Sequence, residues 1–145
     1  MARRSRAREV ALQLLYQHDH NPVDFENSRR FLQDRLRNSE LVAFADSLFG
    51  GVQTHRSEID KHLAGIAENW SVERMATVDR NILRLGTFEL LFQPDTPMKV
   101  AIDEAVELAK RYGAVESPAF VNGILDKVAS ARPATAADPE ITAET

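Results

Sequence analysis

Apolar positions recur along this chain at helical spacing, and alternation of period two is nearly absent. Val10 with Leu14 and Ala11 with Leu15 are i,i+4 pairs on one face. They predict a first helix from about Ala7 to His18, which Asn21-Pro22 stops. Phe25, Leu32 and Leu36 form the core side of a second helix, from about Phe25 to Arg37. Asn38-Ser39 breaks the pattern, and Ser39 is read as the cap of a third helix carrying Leu41, Phe44, Ala45, Leu48 and Val52. Gly50-Gly51 predicts a kink or an end in that helix. Ile59, Leu63 and Ile66 point inward from a fourth helix over about Ser57 to Ile66.

Ser71 reads as the cap of a short turn containing Trp70 and Met75. Thr77 and Asp79 then open the most hydrophobic helix, Val78 to Phe92, which has so little polar face that it belongs at the centre. Pro94 and Pro97 close it. A sixth helix spans about Val100 to Tyr112, with Lys110 and Arg111 in its last turn and Gly113 at C′. Ser117-Pro118 reads as a cap followed by proline at the first helical position of a seventh helix. That helix runs to about Ala131 on a stripe of Val121, Ile124, Leu125 and Val128. Residues 1–131 thus predict one all-α domain of about six or seven helices, and 132–145 a disordered acidic tail.

Length agrees with one domain, since 145 residues bury about 70% of the unfolded chain's surface. The absence of cysteine excludes a disulfide framework, a thiolate metal site and a cysteine nucleophile, and is compatible with the cytoplasm. No apolar run approaches the roughly 18 residues of a membrane span. The apolar stretch after the first arginines is broken by Glu9 and Gln13, unlike a signal peptide. Net charge is −4, but residues 1–8 hold Arg3, Arg4, Arg6 and Arg8 and no acid. A basic arm on an acidic body points to a local anionic partner.

Motifs for catalysis are missing: no G-x-S-x-G, no Gly-rich phosphate loop and no dinucleotide fingerprint. His18 and His20 fall at a predicted helix end, where an imidazole suits the last carbonyls better than a metal. Asp103, Glu104 and Glu107 resemble an acid/base cluster, but Lys110 and Arg111 follow Glu107 by three and four residues, as on a solvated ion-paired face. The chain therefore reads as no enzyme, with no cofactor and no metal.

Two places carry binding chemistry instead. Arg4 and Arg8 lie one turn apart if the arm is helical, and Arg6 points elsewhere. Guanidiniums at a helix start are disfavoured by the dipole, yet their planar fork suits phosphate. The arm is either a solubilising cluster or a nucleic-acid contact. The second place is Glu116-Ser117-Pro118-Ala119-Phe120. Phe120 lies roughly 90° off the centre of its helix stripe, so it either stacks on an unpaired base or packs under the preceding loop. Free N–H groups at that helix start would take a phosphate. Gly123, inside the seventh helix, predicts close approach of a neighbouring helix, and Asn122 either caps a neighbouring chain end or reaches RNA.

Three stretches in this order resemble the NusB family of transcription antitermination factors. They are Arg6-Ala7-Arg8-Glu9 with Ala11-Leu12-Gln13-Leu14-Leu15-Tyr16; Val78-Asp79-Arg80-Asn81-Ile82-Leu83-Arg84-Leu85 through Glu89-Leu90-Leu91; and Val100 through Lys110, then Tyr112-Gly113 and Phe120-Val121-Asn122-Gly123-Ile124-Leu125. The resemblance covers residues 3–131. It implies two small helical bundles packed across each other and a role without catalysis. It further implies pairing with the small-subunit ribosomal protein NusE, binding of the single-stranded boxA element of nascent ribosomal RNA, and assembly with RNA polymerase for passage through terminators. Carried over by position, Arg3, Arg4, Arg6, Arg8, Glu116, Ser117, Phe120 and Asn122 would form the RNA surface. Arg84 and Glu89, on the exposed side of the fifth helix, would meet the ribosomal protein. Members of the family occur as monomers and as homodimers. Two departures stand out: Ser5 interrupts the basic run, with Arg3 standing in, and Asp103 occupies a position usually Asn. The alternatives are a helical protein–protein adaptor without RNA, and the RNA-binding module of a ribosomal RNA methyltransferase. The latter needs a cofactor domain and a cysteine that this sequence lacks.

Overall fold

The structure, a computed structural model, describes residues 2–67 and 71–138. Trp70 lies outside the described residues. Among them are seven α-helices, one 3-10 turn and no strand: α1 (Ala2–His20), α2 (Phe25–Leu36), α3 (Ser39–Thr54), α4 (Arg56–Ile66), the turn Val72–Arg74, α5 (Thr77–Phe92), α6 (Met98–Tyr112) and α7 (Ser117–Ala129). The all-α expectation holds. The chain divides into two compact units, the first ending at Arg56 and the second beginning at Ser57.

In the first unit α1, α2 and α3 pack around Val10, Ala11, Leu14, Leu32, Ala45, Leu48 and Val52, all fully buried. Helix α1 starts five residues before the predicted Ala7, so the arginine arm is itself helical. At its other end His20 acts as expected, its Nδ1 2.9 Å from the Tyr16 carbonyl, whereas His18 Nδ1 instead accepts the Val23 N–H at 3.0 Å from beyond the helix. Asp24 caps α2 by accepting the Asn27 N–H at 2.8 Å. Asn38, not Ser39, caps α3, accepting the Leu41 N–H at 3.0 Å. Helix α3 runs through Gly50-Gly51 to Thr54, because Leu48, Phe49 and Val52 bury its face on both sides of the glycines. Phe25, expected in the core, is 73% exposed. It is the first residue of α2, and a helical side chain leans toward the N-terminus, here past the end of the bundle.

In the second unit α5, α6 and α7 pack pairwise on one another. Every residue of α5 from Asn81 to Leu90 is buried, as the central position predicted. Gly86 marks a close approach: a Cβ there would stand 2.7 Å from Leu125 Cδ1 of α7 and 3.5 Å from Ala105 Cβ of α6. Gly123, by contrast, has nothing within 4 Å of its would-be Cβ, so the close-packing glycine is Gly86. Gly113 ends α6 in an extended conformation (φ −95°, ψ −172°). Space demands the glycine, since its Cβ would fall 2.6 Å from Ser117 Oγ and 2.9 Å from the Ala109 carbonyl.

Residues from Arg132 onward, expected to be disordered, make a set of contacts as far as Asp138; residues 139–145 lie outside the described residues. Arg132 Nη2 donates to the Pro94 and Thr96 carbonyls, and Thr135 Oγ1 donates to the Pro94 carbonyl at 3.1 Å. Asp138 Oδ1 accepts the Met98 N–H at 2.7 Å, and its other oxygen lies 3.0 Å from Arg132 Nε. Pro97 provides no side-chain cap for α6, so Asp138 caps that helix from 40 residues away.

Two stability outcomes follow. Asp138→Ala should lower stability by about 1 kcal/mol, and Asp138→Asn by less, because the amide keeps the cap acceptor. Equal melting temperatures for wild type and Asp138→Ala would show that the strap adds nothing. Gly123→Ala should raise stability by about 1 kcal/mol, whereas Gly113→Ala should lower it by about 1–3 kcal/mol through overpacking. Denaturant midpoints of the two variants should therefore move in opposite directions.

Candidate nucleic-acid interface

Because α1 begins at Ala2, Arg4 and Arg8 sit one turn apart and converge on one ring. Arg4 Cζ lies 4.1 Å, and Arg8 Cζ 5.1 Å, from the centre of Phe44 on α3. A guanidinium over a phenyl face gains about 0.5–1 kcal/mol when exposed and about 2 when desolvated. The contact fixes each cation without neutralising it. Arg3, Arg4 and Arg6 are exposed, whereas Arg8 is 4% exposed, which corrects its reading as a surface residue. Arg8 stands four residues before Leu12 and seven before Leu15, so helical phase places it on the buried face. Arg6 departs from the others, as expected, and pairs with Glu9 at 2.9 Å. Glu9 is buried, so this pair keeps a carboxylate satisfied at the foot of the arm. The first turn of α1 contains no acid, so the dipole cost of its arginines stands.

Phe44 is the residue that sequence reading placed only in the core. It is half-buried, on the flank of the Ala45, Leu48 and Val52 stripe.

The second candidate lies at the start of α7. Glu116 is the N-cap residue, exposed and without a side-chain cap bond. Ser117, expected as the cap, is buried and its Oγ accepts the Ala114 N–H at 2.9 Å, so its hydroxyl closes the α6–α7 corner. The expected free N–H groups are largely absent. Ser117 N–H goes to the Ala114 carbonyl, Phe120 N–H goes to the Glu116 carbonyl, and Pro118 has none. What the corner exposes is different: Val115 is 97% exposed, Glu116 and Ala119 are exposed, Phe120 is half-buried, and Asn122 and Gly123 are exposed beyond it. These are apolar surface, a carboxylate and an amide, a set that suits base faces and base edges better than phosphates.

Arg84 and Glu89 are not on an exposed side of α5. They are 5% and 1% exposed, because α5 is covered all round and a polar position on it is an interior one. Arg84 makes a bidentate pair with Asp60 of α4, Nε to Oδ1 at 2.9 Å and Nη2 to Oδ2 at 3.0 Å, and its Nη1 reaches Asn81 Oδ1 at 3.4 Å. Of the α6 acids Asp103 and Glu107 are exposed and ion-paired, with Lys99 and Lys110 respectively, both at 3.2 Å, and Glu104 is half-buried. Among the described residues no group of three or more His, Asp or Glu is placed to hold a metal. No helix among them is long and apolar enough to cross a membrane.

The profile of the NusB family matches residues 5–130. The chain belongs to the NusB family of transcription antitermination proteins. It is 48% identical over 134 residues to the transcription antitermination protein NusB of Anaeromyxobacter dehalogenans strain 2CP-1, covering 91% of this chain and 94% of that one. It is 46% identical over 136 residues to the NusB of Myxococcus xanthus, covering 90% and 97%. Among solved structures it is similar to T. maritima NusB, with a TM-score of 0.80, 39% identity and coverage of 89% and 92%. It is similar also to a chain in the crystal structure of antitermination factors NusB and NusE in complex with dsRNA, with a TM-score of 0.80, 28% identity and coverage of 90% and 98%. Within this NusB-family chain the described residues hold two candidate sites, an arginine arm in the first unit and an aromatic, acid-edged corner in the second.

The burial of Arg84 yields a direct expectation. Arg84→Ala should lower stability by about 1–3 kcal/mol, from loss of charged hydrogen bonds to Asp60. An unchanged unfolding midpoint would contradict the structural role assigned to that pair.

Proposed function

We propose that this chain, together with the ribosomal protein NusE, binds the single-stranded boxA element of nascent ribosomal RNA, and that the assembly helps RNA polymerase read through terminators. It acts in the cytoplasm, without catalysis, with residues 1–131 as the RNA-binding module. The observation that carries this reading is the exposed arginine arm, held on Phe44 at the start of α1 against the helix dipole. Arg3, Arg4 and Arg6 contact phosphate. Arg8 positions Arg4 by sharing its ring. Glu116, Phe120 and Asn122 contact bases, and Ser117 holds their corner in shape.

The test is a titration of labelled boxA-type RNA, alone and with NusE, against a scrambled RNA. Specific binding that tightens with NusE is expected. With about three phosphates engaged, log K should fall with log salt at a slope near −2, from roughly −0.7 per contact. Arg4→Ala should weaken binding and leave the melting curve intact, while Arg8→Ala should also lower the melting temperature. Phe120→Ala should cost about 1–3 kcal/mol of binding. Equal affinity for both RNAs would reduce the arm to a nonspecific cation cluster, and no binding to either would point to a protein adaptor.

A further inference from the structure

Residues 1–56 hold nine of the chain's eighteen basic residues, and all nine are arginine; the four lysines lie beyond. Four of these arginines form the arm, and Arg56 is paired with Asp19 at 3.0 Å. The remaining four, Arg29, Arg30, Arg35 and Arg37, sit on α2 and its C-cap. Three observations separate them from an ordinary solvated helix face. First, they are interleaved with aromatics: Arg35 Cζ lies 3.6 Å from the centre of Phe31, and Arg29 Cζ lies 5.9 Å from the centre of the exposed Phe25. Second, Arg30, Arg35 and Arg37 hydrogen-bond to neutral oxygens, namely Asn27 Oδ1 at 3.3 Å and the Phe31 and Asp34 carbonyls at 3.4 Å. Those bonds orient the guanidiniums and leave the charge in place. Third, Arg37 is the one non-glycine among the described residues with positive φ (48°, ψ 26°), a left-handed C-cap where glycine is ordinarily favoured. Arginine is kept there against that backbone preference.

The side chains of Arg30, Phe31 and Arg35 line an open cleft of about 430 Å³ between α2 and the end of α1, together with Gln17 and Asn27. Two acids also line it. Asp24 is committed to capping α2, and Asp34 stands beside Arg35.

We propose that α2 is a second contact surface for single-stranded RNA, with Arg30 and Arg35 on phosphates and Phe25 offering its ring to a base. This rests on the RNA reading above and extends it. Charge complementarity and the guanidinium fork favour a phosphate backbone, and an exposed ring beside cations is the usual platform for an unpaired base. Thirteen residues of α1 separate Arg4 from Gln17, or roughly 20 Å at 1.5 Å per residue. An RNA confined to the arm does not reach the cleft, and a longer one does.

The experiment uses the full chain and two RNAs: a short boxA-type strand, and the same strand extended by about ten uridines on each side. Wild type should bind the extended RNA more tightly. Arg30→Gln with Arg35→Gln should lower that affinity about tenfold, make the salt slope shallower by about 1.4, and spare the short RNA. Asp34→Asn should act in the opposite sense, tightening the extended RNA only, and it carries the test alone if the double variant does not fold. Equal binding of both RNAs, with neither variant moving it, would overturn the α2 surface. If Arg4→Ala still weakens the short RNA in that case, the arm reading stands. If no RNA binds wild type, both readings fall. Loss of NusE binding with RNA binding unchanged would make α2 a protein surface and overturn the proposal equally.

Discussion

Gly86 sets how closely the second unit can pack. With no side chain there, Leu125 of α7 and Ala105 of α6 close on the backbone of α5, and α5 loses any solvent face. A helix buried on all sides must either be apolar throughout or satisfy its polar groups inside. Arg84 is satisfied by a bidentate pair with Asp60, which ties α4 to α5. The same tightness reappears where α6 turns into α7. Gly113 admits Ser117, and the Ser117 hydroxyl holds the Ala114 N–H. Glu116 and Phe120 are thereby presented from a corner fixed by packing, which lowers the entropy lost when a ligand meets them.

The first unit solves a different problem. Each arginine in the first turn of α1 works against the helix dipole, by an amount of order 0.3–1 kcal/mol. Phe44 offsets part of this for Arg4 and also holds Arg8 one turn further on, while Glu9 pairs with Arg6. The two devices are not equivalent. An ion pair cancels the charge a phosphate would meet, while a ring leaves it intact. A phosphate meeting Arg4 would find its charge intact, whereas one meeting Arg6 would first have to displace Glu9.

Much of this was legible in the residues, since apolar periodicity located all seven helices and the central place of α5. The failures share one cause, which is that spacing reports phase but not depth. Arg84 and Glu89 look like surface positions because they are charged, yet a helix covered all round has no surface position. Phe25 is in phase with Leu32 but stands at the helix start, beyond the core. Gly123 and Gly86 are both glycines inside helices, and nothing local distinguishes the exposed one from the packed one. Contacts distant in sequence were equally hidden. Nothing near Met98 announces that Asp138 caps α6, and nothing near Phe44 announces Arg4. The arm itself was legible because four arginines at a helix start oppose a local rule, and such conflicts tend to mark function.

The charges of the two units assign different chemistry to the two surfaces. Residues 1–56 carry nine basic side chains against seven acids, while residues 57–145 carry nine against fifteen. A phosphate backbone is drawn to the first unit and repelled by the second. Contact at the α7 corner must then come from groups indifferent to that repulsion. On the proposed reading Phe120 would stack on a base face whatever the backbone charge, and Glu116 and Asn122 would accept hydrogen bonds from exocyclic amines. On that reading salt-dependent affinity would reside in the first unit, and discrimination between bases in the second. The acidic second unit would add to this division by weakening any RNA held through phosphates alone, so that a strand lacking the right bases would be released sooner.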